Sequence, residues 1–447
     1  MSELLEIATR VAGWANDGEQ VEAYVVRERE TEARAYEGEV ESFTSAESHG
    51  IGIRVIVDGR QGYAYAGTLS DEALHETLSE ARDNAAFAEP DEFSGVAEPD
   101  GVVQAELDLF SEALETFSTD DKVALAIELE RATRAADARI SGIESSEYID
   151  SLYESAVATN TGIAASSRET GCYVSAYALA EQAGETQTGF GFSIGRDPTQ
   201  LDPAVAAADA AERATRLLGA TKPESERLTV VLDPWVTAQL LGIVGHTLTG
   251  EAVLKGRSMF ADRVGDTVAH PSITLVDDPT DPAAFTAGTV DGEGIATRRT
   301  TLIDQGTLTG FLHNAYSGRR ASERTTGSAV RAGFKSGPGV GAQALSLTPG
   351  DRSQAQLIAD IENGFLVQGV AGLHSGVNPV SGDFSTGAEG LRIRNGELAE
   401  PIREVTIAST VQRLLQDIIA IGGDLEWLPM NASGVSLVVG DVTMSGV

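Results

Sequence analysis

Apolar residues change period several times along this chain, from helical spacing to strict alternation and back. Residues 2–16 carry Leu4, Leu5, Ala8, Val11, Ala12 and Ala15 at helical spacing and predict an amphipathic helix. Alternation then predicts strands at 21–26 and 31–43. The run GIGIRVIVDGRQGYAYA predicts a hairpin turning at Asp58-Gly59. Ser70 is placed to cap a helix through about Ala86, and residues 88–103, which repeat Ala-Glu-Pro-Asp, read as a linker. A second unit opens with a helix over 119–139, where Ser118 and Asp121 form a weak capping box. Three or four strands are expected between 143 and 194, then an alanine-rich helix over 203–218 and a boundary at 220–228.

The third unit begins with a strand over 228–232 that runs into Asp233-Pro234, an N-cap and first-turn pair. The helix predicted next carries Leu240, Leu241, Val244 and Leu248 on one side, with Gly242 and Gly245 among them. His246 sits near its end, and Gly250 is placed to stop it. Asp304-Gln305-Gly306 and Asn395-Gly396 mark two further hairpins, and 405–422 reads as one more helix. The fold class is α+β: N-terminal mixed units with antiparallel hairpins, then a large β-rich C-terminal domain. The expected division is 1–105, 106–222 and 223–447.

Charge narrows the function. There are 68 acids against 32 bases, a net charge of −36, and lysine occurs only at Lys122, Lys222, Lys255 and Lys335. Such an acidic, lysine-poor surface suits a halophile's cytoplasm, where salt screens carboxylate repulsion. Nucleic acid is an unsuitable partner, because no basic face is clustered. The acidic start MSELLEIA and the lack of a long apolar run predict neither a signal peptide nor a membrane span, hence a cytoplasmic protein. Cys172 is the only cysteine, which excludes an internal disulfide and a multi-cysteine zinc site.

Several patterns invite chemistry and have duller explanations. Gly191-Phe192-Ser193-Ile194-Gly195 matches GxSxG, yet Phe190, Phe192 and Ile194 alternate as in a strand, and no helix follows at once as a nucleophile elbow requires. His49, His75, His270, His313 and His374 stand at no metal-binding spacing to one another. The acids at Asp277-Asp278 and in Asp291-Gly292-Glu293-Gly294 lack EF-hand spacing and suit turns or a cavity wall. Ser336-Gly337-Pro338-Gly339-Val340-Gly341 lacks either nucleotide-binding spacing and suits a turn. Gly376-Val377-Asn378-Pro379-Val380-Ser381-Gly382-Asp383-Phe384-Ser385 is polar and turn-forming between apolar strands, with side chains suited to bond their own backbone.

These segments, in this order, resemble the TldD/PmbA (TldD/TldE) family. The likeness runs through SFTSAESHGIGIRVIVDGRQGYAYA and through residues 250–278, 291–312 and 364–391, with 376–385 close to the PmbA-side signature "vNpvTGdFS". Ser381 stands where that signature commonly has threonine. The resemblance implies a zinc metallopeptidase of two associating subunits, whose TldD-type member carries HExxxH. Here the equivalents are Leu241, Gly242 and His246, so only His246 remains, and AIGGDLEWLPMNASGVSLVV lacks the further cysteine ligand. A catalytic zinc usually takes three protein ligands. The expectation is therefore a TldE/PmbA-type chain with no metal and no catalytic residue of its own, zinc residing in a TldD-type partner. It would help close a chamber for unfolded peptides or small proteins, and His246, Asn378, Ser381, Asp383 and Ser385 are the candidates for its substrate surface. The alternative is a self-associating peptide-binding or modulatory protein without a protease role, with a homodimer as its expected form.

Overall fold

The computed structural model describes residues 2–447, apart from the side chain of His374. Six antiparallel strands form the N-terminal sheet: β1 (Gln20–Tyr36), β2 (Glu39–Val57), β3 (Arg60–Ala66), β4 (Ile140–Thr159), β5 (Ala164–Gln182) and β6 (Glu185–Gly195), in the order β3-β2-β1-β4-β5-β6. Both N-terminal units thus contribute to one sheet, joined where β1 pairs with β4 from Glu22↔Thr159 to Arg34↔Glu147. One face is covered by α1 (Glu3–Ala12), α2 (Asp71–Phe87), α3 (Thr119–Ala136) and α4 (Pro203–Arg216). Val21, Ala23 and Val25 of β1 pack there with Ile51, Ile53 and Val55 of β2. Val174, Ala176 and Ala178 of β5 pack under α3 and α4. Strand alternation turns the intervening residues to the opposite, open face.

The alanine-rich α4 sits very close to β6. A Cβ at Gly189 would lie 2.1 Å from Ala214 N, and one at Gly191 2.0 Å from Ala206 O. Glycine at both positions is the condition for that approach. Residues 21–43, expected as two strands, instead form β1, a turn at Glu37-Gly38 with φ 54° and 79°, and the start of β2. Both central residues in the left-handed region is the hairpin turn otherwise signalled by Asn-Gly or Asp-Gly, and glutamate masks it. The expected turns at Asp58-Gly59, Gln305-Gly306 and Asn395-Gly396 all adopt this form.

The third unit is built on β7 (Glu226–Leu232), α5 (Pro234–Thr247), β8 (Asn363–Ala371), β9 (Asp383–Arg394), β10 (Glu397–Thr410), α6 (Val411–Gln416), β11 (Ile418–Ile421) and β12 (Leu437–Ser445). The strand order is β10-β9-β8-β7-β12-β11. Because β10 also pairs with β12, the first five close into a barrel. Only β7 and β8 run parallel. Asp233 accepts a hydrogen bond from Trp235 N and starts α5, which packs with inward residues of the barrel strands such as Phe365, Val367, Leu437 and Val439. The helix expected over 405–422 is three elements instead. Val405 and Ile407 are buried on either side of exposed Thr406, a period of two that completes β10. Thr410 then caps α6, and β11 follows.

Residues 88–110 have no regular structure, as turn chemistry predicts, yet they are tied to the third unit. Arg319 donates to the carbonyls of Phe93, Gly95 and Val96, Tyr316 donates to Asp91, and Arg298 pairs with Asp100. A buried ionic cluster makes a second tie. Glu22 of β1 pairs with Arg54 of β2 at 2.7 Å and with Arg331, and Arg54 also reaches Glu293 at 3.2 Å. Burial works to raise the pKa of Glu22, but the charges of Arg331 and Arg54 outweigh it and hold the carboxyl below its usual value. Among the described residues no helix is long and apolar enough to cross a membrane.

Candidate functional site

Helix α5 carries Leu241, Gly242 and His246, the positions equivalent to HExxxH. Leu241 is 3% exposed and lines an apolar void of about 30 Å³ with Leu232, Val244, Leu414 and Leu437. Gly242 is partly exposed, and the nearest atom to a Cβ built there is Asn431 Oδ1 at 3.6 Å. His246 is exposed. Residues five apart on an ideal helix diverge by roughly 140°, which matches one side chain in the core and the other at the surface. The three positions offer a single donor side chain, against the three protein ligands of an ordinary catalytic zinc. Residues 420–439 add neither cysteine nor histidine. Among the described residues no three His, Cys, Asp or Glu side chains converge as a metal site would need.

The polar segment 376–385 is a self-bonded loop leading into β9. Asn378 Oδ1 accepts from the backbone N–H of Val380 (2.9 Å) and Ser381 (3.2 Å), and Asn378 N donates to Asp383 O. Ser381 Oγ donates to Asp383 Oδ2 at 2.7 Å. Asn378, Ser381, Asp383 and Ser385 are all exposed. Asn378, Asp383 and Ser385 line an open cavity of about 600 Å³ walled by residues between Ser375 and Ser385 and by Ser409, to which α5 contributes nothing, and Ser381 adjoins it through its bond to Asp383. The structure therefore gathers four of the sequence candidates at one surface and leaves His246 apart from it.

The remaining signals resolve into structure. Ser193 lies in β6, and its Oγ accepts from Asp202 N at 3.0 Å, so GxSxG is a strand whose Gly191 admits α4. Asp291 shapes the Asp-Gly-Glu-Gly turn by accepting from the backbone N–H groups of Glu293, Ile295 and Ala329. Burial, with Glu293 beside it, raises the pKa of Asp291. Asp277 Oδ1 accepts from Gln343 N and Ala344 N while Oδ2 is buried without a partner, and burial pushes this carboxyl up to about 6. Ser336 accepts at its carbonyl from Tyr63 and Arg331, which places the glycine-rich run against the N-terminal sheet. His75 stacks on Trp14, His270 bonds Ser272, and buried His313 bonds Ser317, its pKa lowered by burial.

A larger feature was not anticipated. The open face of the N-terminal sheet and the third unit enclose two adjoining cavities, of about 540 and 580 Å³, that share Ser151, Gly171 and Phe285. The first is apolar: Tyr173, Tyr177, Phe190 and Phe192 of β5 and β6 face Trp235 at the start of α5. The ring centroids of Phe190 and Trp235 are 4.9 Å apart. The second is polar, with Glu28, Tyr153, Ser155, Ser167 and Glu169 from β1, β4 and β5. Its sequence signal was the outward residue set of these strands, where aromatic, hydroxyl and acidic side chains stand in place of a plain solvated face.

The fold and three matching segments define the class of protein. Family descriptions of the PmbA/TldA metallopeptidase match in three parts: domain 1 over residues 21–85, the central domain over 112–218, and the C-terminal domain over 225–446. The chain belongs to the PmbA/TldD family. It is 27% identical over 429 residues to the metalloprotease PmbA of Escherichia coli O157:H7, covering 95% of this chain and 92% of that one. A metalloprotease of Methanothermobacter thermautotrophicus is 33% identical over 235 residues, 52% of this chain and 51% of the relative. The crystal structure of TldE from Thermococcus kodakarensis superposes with a TM-score of 0.89 at 24% identity, covering 99% of this chain and all of that one, and so shares its fold.

Proposed function

We propose that this chain is the TldE/PmbA-type, non-catalytic subunit of a two-component zinc metallopeptidase acting on unfolded peptides or small proteins. The supporting observation is α5, which keeps the helix of the family's metal motif but sets buried Leu241 and partly exposed Gly242 beside exposed His246. Zinc, held by a TldD-type partner, would polarise the scissile carbonyl and activate water. This chain's contribution is then to wall the chamber and hold the substrate backbone, with the loop at Asn378, Ser381, Asp383 and Ser385 as its exposed polar surface. The test is zinc content and peptide hydrolysis at high salt, for the chain alone and mixed with a TldD-type subunit. An inert, metal-free chain that raises the partner's activity supports the reading; stoichiometric zinc and hydrolysis by the chain alone would overturn it.

One observation favours the second reading, a self-associating peptide-binding protein. Among the described residues the outer edge of β2 from Glu39 to Gly50 has no strand partner, since β3 pairs only from Ile51 onward. An open strand edge is a template for another chain. Sedimentation of the isolated chain as a stable dimer, with no association with a TldD-type subunit, would select this alternative.

A further inference from the structure

Cross-strand register places Glu28, Tyr153 and Glu169 side by side on the open face of the N-terminal sheet. All three line the polar cavity. Tyr153 is engaged with Tyr24 through a hydroxyl contact of 2.7 Å. The two carboxylates have neither a hydrogen-bond partner nor an ion pair among the described residues, although arginines elsewhere in the chain are extensively paired. Glu30 and Glu32 continue the same face of β1 opposite Ser151 and Ile149, again without a cation. The cavity does contain two arginines, both committed elsewhere. Arg331 pairs with Glu22, and Arg196 donates to the carbonyls of Thr170 and Phe285. Burial raises the pKa of both Glu28 and Glu169, with Glu30 adding to it for Glu28 and Arg196 opposing it for Glu169. Among the described residues neither carboxylate has a cation at ion-pair distance, and Arg196, whose charge acts on Glu169, spends its donors on backbone carbonyls.

The apolar cavity continues from this row. Glu169 and Tyr173 lie on the same face of β5 four residues apart, ~13 Å at the usual rise of an extended strand. An extended ligand running along the trough would present its own side chains at the same rise. We propose that the trough binds an extended peptide segment with a lysine or arginine over the Glu28–Tyr153–Glu169 row and a bulky apolar side chain, about four residues away, against Tyr173, Phe192 and Trp235. This assigns a side-chain preference to the peptide chamber of the preceding section and rests on that reading. The carboxylates supply charge-assisted hydrogen bonds in a partly desolvated site, where salt screens them little. The aromatic wall supplies area for the apolar group.

The test uses the full chain and unstructured ten-residue peptides: one with Lys and Phe four apart, one with Glu replacing Lys, and one with Gly replacing Phe. Binding is read by fluorescence anisotropy of labelled peptides and by quenching of Trp235, with Trp235→Phe identifying that signal over Trp14 and Trp427. The Lys–Phe peptide should bind best, and each replacement should weaken it roughly ten- to hundred-fold. The double variant Glu28→Gln/Glu169→Gln should lose the preference for Lys over Glu while keeping that for Phe over Gly. Equal affinity for all three peptides with the unmodified chain would overturn the proposal without recourse to any variant. So would an unchanged Lys preference in a double variant that melts like the parent. Failure here is separable from failure of the subunit reading: a chain without this preference that still raises a TldD-type partner's activity removes the trough and leaves the subunit.

Discussion

Replacing Glu22 by alanine removes the central anion of the cluster that ties the N-terminal sheet to the third unit. Its carboxylate is 1% exposed and serves two arginines. Arg54 would keep Glu293 at 3.2 Å, but Arg331 would retain no carboxylate, only the carbonyls of Gly292 and Ser336 and the face of Tyr24. Breaking a buried pair by deleting one partner costs about 3–5 kcal/mol, because the surviving charge is stranded. That is a large part of the ~5–15 kcal/mol that ordinarily stabilises a domain. Differential scanning fluorimetry should show a midpoint lowered by roughly 5–10 °C, and limited proteolysis should open the segment 88–110 first. Glu22→Ala combined with Arg331→Met should recover part of the loss, since no lone charge remains. The pH dependence has a definite sign. The folded carboxyl titrates below its unfolded value, so its contribution is complete above the ordinary glutamate range near 4.3 and is lost as pH falls through the folded value. Wild type should therefore show an acid limb that Glu22→Gln flattens. A Glu22→Ala unfolding free energy within about 1 kcal/mol of wild type would refute the argument.

Other expectations follow from single contacts. Writing the zinc motif back with Leu241→His and Gly242→Glu should leave zinc far below one per chain by atomic absorption and should destabilise the fold, since Leu241 belongs to an apolar core. Gly191→Ala places a methyl 2.0 Å from Ala206 O and should cost about 1–3 kcal/mol in chemical denaturation, by forcing α4 away from β6. Asp277 titrates at about 6 when folded, above its unfolded value, so its protonated form favours the fold and stability falls as pH rises towards 6. Asp277→Asn should remove that limb and melt higher than wild type at pH 7.5 but not at pH 4. Asn378→Ala removes two backbone-directed bonds and should lower stability by only about 1 kcal/mol. Unchanged hydrolysis by this variant in the two-subunit mixture would dismiss the loop as a substrate surface.

What could be read in advance was local. The helices capped by Ser70, Ser118 and Asp233 all form, because a side-chain oxygen meets N–H groups two or three residues away. The turns at Asp58-Gly59 and Asn395-Gly396 were equally legible, whereas Glu37-Gly38 was missed because its first residue is an unusual occupant. The segment 405–422 reads as a helix because Ile407, Leu414, Leu415 and Ile418 also fit a helical stripe, and only barrel closure against β12 selects the strand. The loop at Asn378 was recognisable from turn chemistry and family likeness. The trough was not, since Glu28, Tyr153, Glu169 and Trp235 come from four separate segments that only the fold brings together.

The central position of β1 has a consequence for how the chain is made. Its hydrogen-bonding edge towards β4 is completed only by residues far downstream, as in the bond from Val21 N to Asn160 Oδ1, 139 residues away. During synthesis at ~5–20 residues per second, that edge waits roughly 7–30 s for its neighbour. An N-terminal fragment ending before β4 would present long unpaired backbone along β1, a surface prone to aggregate. Residues 1–105, although they hold two hairpins and two capped helices, are thus one side of an unfinished sheet, whose open edge is covered only once residue 160 has been made.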